Sequence, residues 1–368
     1  MNYHRQNRAL VFMCAWNGEK TIARAIKSVL NQTRSDFTFW ILNNGSTDKT
    51  DEIIKKYNKK DKRVKMLYLP VNNIVNAINL SKALRTESSA KYHFTIDADD
   101  EYVHDFFEVS SRFMDENKLD IVTCGYDVID EQTGSIIKTR IPEDTFTVSG
   151  KQFQSDFIKY RPFTPFTWGK LYRNSQILLS DYILDEYNLC SKSVLNYNEY
   201  KYSSDSIYNL FLFRKARRIG VLGKSVYKYY QSQQQISSRV SLKEKVSEYY
   251  ELYLTTRRYL ESYGKVSKFN CDYLYAIYLS TIDDSMRFIF ERKDVSPEER
   301  LELIKWIFSR DETPLLFSGI FDPEFKNLAA RNKFLEENIK KILLEFGQTK
   351  EVNEIVNLLK GLKNERLC

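Results

Sequence analysis

The densest concentration of chemistry in the chain is Asp97-Ala98-Asp99-Asp100, which directly follows the apolar run Tyr92 to Ile96. Side chains two apart on an extended backbone share a face, so Asp97 and Asp99 can converge on one ion. Carboxylate oxygens suit hard divalent cations, and Mg²⁺ or Mn²⁺ commonly sits between carboxylates and substrate phosphates. The competing assignment is an acidic helix start, in which Asp100 and Glu101 favour the positive end of the helix dipole. Asp100 is assigned that capping role, while Asp97 and Asp99 remain candidates for a cation.

Two further polar clusters follow apolar runs. Asn43-Asn44-Gly45-Ser46-Thr47-Asp48 offers amides that can hydrogen-bond a base or ribose, with Gly45 for a tight turn. The same residues also read as an ordinary turn and helix cap. Ala15-Trp16-Asn17-Gly18-Glu19 can wall a nucleotide pocket, and Trp16 can either stack on a ligand or cover the core.

The elements that must position these clusters alternate. Ala9 to Ala15, Phe37 to Leu42, Val64 to Leu69, Tyr92 to Ile96 and Ile121 to Ile129 have strand length and composition, the last followed by a hairpin turn near Thr133–Gly134. Between them, Glu19 to Leu30, Asp48 to Lys59, Asn73 to Arg85 and Val103 to Asn117 have helical spacing. This alternation predicts an α/β fold with a mostly parallel sheet, whose ligands bind outside the carboxyl ends of the strands. All three polar clusters fall there. From Ser149 to Ser238 the pattern is mixed. Beyond Leu242 it becomes helical: Lys243 to Tyr263, Asp272 to Phe290, Pro297 to Phe308, Phe325 to Phe346 and Glu351 to Lys363, with Ser296-Pro297-Glu298-Glu299 as a well-formed helix start. The expected division is 1–240, with a donor half 1–130 and an acceptor half 131–240, and an all-helical domain over 241–368.

Composition narrows the function. The 368 residues include 14% aromatics and predict an aromatic core. The net charge of +7 is spread along the chain; it suits a polyanionic ligand or an anionic membrane surface, without the dense basic blocks of a nucleic-acid binder. Five scattered cysteines without a CxxC argue against a disulfide framework or a zinc site. A polar start and the absence of an apolar run near 20 residues predict a cytoplasmic protein, at most peripheral at the inner face of the membrane.

The order Ala-Trp-Asn-Gly-Glu, Asn-Asn-Gly-Ser-Thr-Asp, Asp-Ala-Asp-Asp resembles the inverting glycosyltransferases of family 2, which have the A-type (GT-A) nucleotide-diphospho-sugar transferase fold. The resemblance runs over roughly residues 8 to 235. It implies a first nucleotide loop at Ala15, Asn17 and Glu19, a base contact at Asn44, donor binding by Asp97, and Mn²⁺ or Mg²⁺ held by Asp97 and Asp99. Trp168-Gly169-Lys170-Leu171-Tyr172 resembles the family segment beneath the acceptor site, so Trp168 and Lys170 are candidate acceptor contacts, against the alternative of a buried Trp and a snorkelling Lys. Ser204-Asp205 resembles the pair whose Asp is the catalytic base, which makes Asp205 the base. Tyr227 to Tyr230 and Gln235 to Arg239 resemble the stretch that closes over the diphosphate, with Arg239 a phosphate contact.

The chain also departs from the family. Asn43-Asn44 stands where Asp-Asp is usual, Ala77-Ile78-Asn79 lacks the Arg that many members carry, and Ser204 replaces a Glu. The Gln-x-x-Arg-Trp sequence of processive synthases is absent, which implies addition of a single sugar. The function implied is transfer from a nucleotide-diphosphate donor, UDP-linked, to a hydroxyl of a glycan, glycolipid or glycoprotein in bacterial surface assembly. The rivals are a sugar nucleotidyltransferase, which would need a Gly-rich phosphate loop near the N-terminus, and a nucleotide-sugar-binding protein that has lost turnover. The C-terminal helices carry no catalytic signature; their apolar stripes fit a core, a homo-oligomer contact or acceptor binding.

Overall fold

The computed structural model describes residues 8–155, 166–175, 215–232 and 295–308, with Phe163, Asn209, Leu212, Phe213, Ser285 and Ile289. The chain divides into two compact units, Met1–Ser238 and Arg239–Cys368.

In the first unit, β1 (Ala9–Ala15), α1 (Ile22–Leu30), β2 (Phe37–Asn44), α2 (Thr50–Lys60), β3 (Val64–Leu69), α3 (Ile74–Glu87) and β4 (Tyr92–Thr95) alternate as the periodicity predicts. β1 is apolar along its length and almost wholly buried, as a central parallel strand covered on both faces must be. α1 buries Ile22, Ala25, Ile26 and Val29, a stripe of helical spacing. α2 carries Asp51 and Glu52 in its first turn and Lys59 and Lys60 in its last, matching the helix dipole at both ends.

The second half of the unit adds β5 (Glu101–Tyr102), α4 (Phe106–Glu116), β6 (Ile121–Asp130), β7 (Ile136–Arg140), β8 (Phe146–Ser149), α5 (Gly150–Ser155), β9 (Lys170–Arg173) and β10 (Arg218–Gln231). The strand order is β3-β2-β1-β4-β9-β6-β10-β5, with β7 beside β6 and β8 beside β10. Strands β1 to β4 are mutually parallel, and β10 is parallel to β6. β9 lies antiparallel between β4 and β6, so six of the eight strands on the main path still run one way.

Two expectations need correction. The helix expected from Val103 begins at Phe106, because Glu101 and Tyr102 pair with Lys228 and Tyr227 of β10 as β5. Asp100 consequently caps no helix. One first-turn donor of α4, the buried Phe107 N–H, donates instead to Gln32 Oε1 at 2.9 Å, two residues past α1.

The core is aromatic. Phe94 meets Tyr102, Phe106 and Phe107 at ring separations of 5.6, 5.3 and 5.6 Å, and Tyr102 stacks on Phe106 at 4.1 Å. Burial of each such ring contributes about 1.5–3 kcal/mol.

In the second unit α6 (Pro297–Phe308) starts as read from sequence: Ser296 Oγ accepts from the Glu299 N–H at 3.1 Å. The other helices expected there, 243–263, 272–290, 325–346 and 351–363, lie outside the described residues apart from the buried Ser285 and Ile289. Among the described residues no helix is long and apolar enough to cross a membrane.

Candidate active site

The acidic loop leaves β4 at the carboxyl end of the parallel strands. Asp97, Asp99 and Asp100 each bring a carboxylate oxygen within 4.8 Å of the others. Asp97 and Asp99 are solvent-accessible; Asp100 is fully buried. The two solvent-accessible carboxylates at this spacing, Asp97 and Asp99, fit a Mg²⁺- or Mn²⁺-sized ion with further positions left for phosphate oxygens.

Asp100 turns inward. Its Oδ1 accepts from the Tyr230 N–H at 2.8 Å and its Oδ2 from the Tyr227 hydroxyl at 2.9 Å. Tyr227 Oη also accepts from the Asp97 N–H at 3.2 Å, so one phenol ties both ends of the loop to β10. Burial, then the charges of Asp99 and Asp97, push the Asp100 carboxyl well above the usual carboxylate range against its two hydrogen bonds. Burial, followed by Asp100 and Asp97, keeps the Tyr227 phenol protonated far beyond neutrality. From the other side Arg24 of α1 donates to the Asp99 carbonyl at 2.5 Å.

The other two clusters are stitched to each other. Asn17, in the left-handed region at φ 50, accepts on Oδ1 from the Thr47 N–H at 2.8 Å, and its own N–H donates to Ser46 Oγ at 3.0 Å. Glu19 accepts from the Lys49 N–H at 3.1 Å and donates through its backbone to Asp48 Oδ2 at 3.0 Å. Ala15 is buried at the end of β1, opposite Asn43. Asn44, expected to contact a base, is 2% exposed: its Nδ2 donates to Asn72 Oδ1 at 2.8 Å and its Oδ1 accepts from the Asn73 N–H at 3.0 Å. Gly45 holds φ +72, and a Cβ there would stand 2.5 Å from the Asn72 nitrogen, so this turn requires glycine. These side chains build the wall between loops. Trp16 is 43% exposed beside it.

Trp168 and Lys170 were candidate acceptor contacts, but both side chains are buried. Trp168 stacks between Phe166 and Tyr227 at 4.2 and 4.4 Å, and Lys170 Nζ donates to the Phe166 carbonyl. Trp168 thus packs beneath Tyr227, the residue that holds the acidic loop, in line with the buried alternative for this segment. Asp205 and Arg239 lie outside the described residues. Arg24 and Glu131 gave no sequence signal, because nothing local marks residues that meet the loop across the fold. Tyr227 and Tyr230 were flagged through the family resemblance as part of the stretch over the diphosphate; their bonds to Asp100 were not foreseen.

A mixed, mostly parallel sheet with paired carboxylates at the lip of a central strand defines the A-type fold of the nucleotide-sugar transferases. TarS of S. aureus shares the fold: its structure with UDP covers 90% of this chain and 89% of its own at 16% identity with a TM-score of 0.53, and its structure with UDP-GlcNAc gives 0.54. Residues 10–179 match the glycosyl transferase family 2 model. Two relatives are the uncharacterized glycosyltransferase EpsJ of Bacillus subtilis, 28% identical over 58% of each chain, and the uncharacterized glycosyltransferase YibD of Escherichia coli, 24% identical over 70% of this chain and 72% of its own. The match thus spans somewhat over half the length of EpsJ.

Proposed function

We propose that this protein is a divalent-cation-dependent, inverting glycosyltransferase that moves one sugar from a UDP-linked donor to a hydroxyl of a glycan, glycolipid or glycoprotein in bacterial surface assembly. The observation that carries this reading is the group of three carboxylates within 4.8 Å at the carboxyl lip of β4, in a domain that matches the family 2 model. UDP and UDP-GlcNAc bound to TarS, a protein of the same fold, support a UDP-linked donor.

Asp97 and Asp99 would hold Mn²⁺ or Mg²⁺, whose chemistry there is Lewis-acid stabilisation of charge on the leaving diphosphate. Asp100, buried and hydrogen-bonded by Tyr227 and Tyr230, keeps the loop in its turn. Asp205 takes the proton from the acceptor hydroxyl as it attacks the anomeric carbon, an effect typically of about 10²–10⁴-fold. Arg239 contacts the diphosphate. The domain acts at the cytoplasmic side, with the helical region 241–368 available for self-association or acceptor binding.

Donor hydrolysis across UDP-, GDP- and dTDP-sugars, with Mn²⁺ and with EDTA, tests the reading. Mn²⁺-dependent release of UDP supports it. Donor binding without any hydrolysis or transfer would favour a binding protein that has lost turnover, a reading to which the internally engaged Asn17, Glu19 and Asn44 lend weight. Replacing Asp205 by Asn should abolish transfer and spare donor binding; near-normal turnover would refute its role as base.

A further inference from the structure

The acidic loop faces a physical difficulty. Three carboxylates crowded within 4.8 Å repel one another, and a four-residue turn has little rigidity of its own to resist. Something must hold it in a cation-ready shape before a cation arrives. Tyr227 and Tyr230 fix Asp100 and the Asp97 end. The Asp99 end is fixed from α1.

Arg24 reaches that end through contacts with four elements. Nη2 donates to the Asp99 carbonyl at 2.5 Å. The fork of Nη1 and Nη2 meets both oxygens of Glu131 at 2.9 and 2.8 Å, and Nε faces Glu101 Oε1 at 3.6 Å. The guanidinium carbon lies over the Tyr230 ring, 3.5 Å from its centroid, and the same tyrosine donates its N–H to Asp100 and its hydroxyl to Glu101. One planar cation thus joins α1, the hairpin after β6, β5 and β10 at the backbone of a candidate cation ligand. Glu131 and Glu101 balance its charge, so its effect on the loop is geometric more than electrostatic. Lysine cannot reproduce the arrangement, because a point charge cannot fork, stack and donate to a carbonyl together.

We infer that Arg24 is a positioning residue of the cation site. By pinning the Asp99 carbonyl it aims the Asp99 carboxylate, with Glu131 holding the guanidinium in register. This inference rests on the cation-site reading above.

The test uses the full chain with two probes: Mn²⁺, followed by the spectroscopic signal of the free ion in the presence of saturating UDP, and UDP alone in EDTA, followed by calorimetry. Arg24→Gln should weaken Mn²⁺ binding about 10–100-fold, the range found when a residue supporting a metal ligand is lost, and change metal-free UDP binding less than about twofold. Arg24→Lys should follow Arg24→Gln, and Glu131→Gln should weaken Mn²⁺ binding in the same direction by a smaller factor. Full Mn²⁺ affinity in Arg24→Lys would show that charge alone suffices and overturn the inference. Equal loss of metal-free UDP affinity in Arg24→Gln would mean a general structural role and overturn it too. If Arg24→Gln does not fold, Glu131→Gln decides by the same two readouts. Wild-type protein that binds UDP but no Mn²⁺ would remove the cation-site reading itself, and the clamp with it.

Discussion

The acids before β2, β3 and β4 and the acids of the loop after β4 are arranged in opposite ways. Near the amino ends of β2, β3 and β4, three acids each have a cation. Asp36, just before β2, takes both of its oxygens to Arg34 at 2.9 and 2.6 Å; Asp61, before β3, is held by Arg63 at 2.7 Å; Asp115 takes Lys91, at the start of β4, at 2.7 Å. Each of these cations also lies over an aromatic ring: Phe107, Phe37 and Tyr92 respectively. At the carboxyl ends, Asp97, Asp99 and Asp100 gather against one another. The first arrangement stabilises the fold. The second concentrates acid groups at one point, the arrangement that a cation site uses.

Replacing acids in each arrangement tests the contrast. Asp99→Ala should lower sugar transfer by about 10²–10³-fold, the scale of losing one group that stabilises developing charge, while the ligand-free melting temperature holds or rises as repulsion on Asp100 is relieved. A fall in melting temperature with transfer intact would erase the distinction between the two arrangements. Asn44→Ala marks the limit of the contrast, since it lies at the carboxyl edge yet is a strut. Stripping the Asn72 amide and the Asn73 N–H of their partner should cost about 2–3 kcal/mol in urea unfolding; a neutral result would mean that water or ligand normally serves those groups.

Asp36→Asn should cost about 1 kcal/mol near neutral pH, in keeping with a partly exposed charged hydrogen-bond pair. Burial raises the Asp36 carboxyl, but the hydrogen bonds and charge of Arg34 outweigh it and hold the group below the usual carboxylate range. Its stabilisation is therefore present above about pH 4 and is lost as pH falls through the depressed value. Unfolding measured between pH 7 and 3 should show wild type and variant converging at the acid end; a constant gap would mean that packing, and not charge, carries the difference. The smallest expected effect is a null rate. Burial pushes the thiols of Cys14 and Cys124 up to about 12, so mapping of alkylated peptides from native protein at pH 8 should find both nearly unmodified. Rapid labelling of Cys14 would show that the loops beside it open.

Much of the fold could be read from the residues in order. The apolar run of β1, the four-residue stripe of α1 and the Ser296 cap of α6 are signals confined to one turn or one strand, and the structure repeats them within a few residues. The acidic lip could be read too, because two carboxylates flanking one residue at a strand end are a local pattern. The neighbours of Asp100 in sequence suggest a helix start, whereas its partners, Tyr227 and Tyr230, come from β10, with Tyr227 127 positions further along the chain. For Trp168 and Lys170 the residues alone left acceptor contact and burial equally open; stacking of Trp168 on Phe166 and Tyr227, and the place of β9 between β4 and β6, bury both.

The sequence by itself determined which segments become strands and helices, where polar loops interrupt them, and that two acids stand together at the end of β4. Those properties depend on spacing and side-chain chemistry over a handful of residues. Only the tertiary structure decided that Asp100 turns inward, that Asn44 is spent on Asn72 and Asn73, and that Arg24 grips the Asp99 carbonyl 75 residues away. Such contacts form when sheet order brings distant loops together, and periodicity carries no record of which loops will meet.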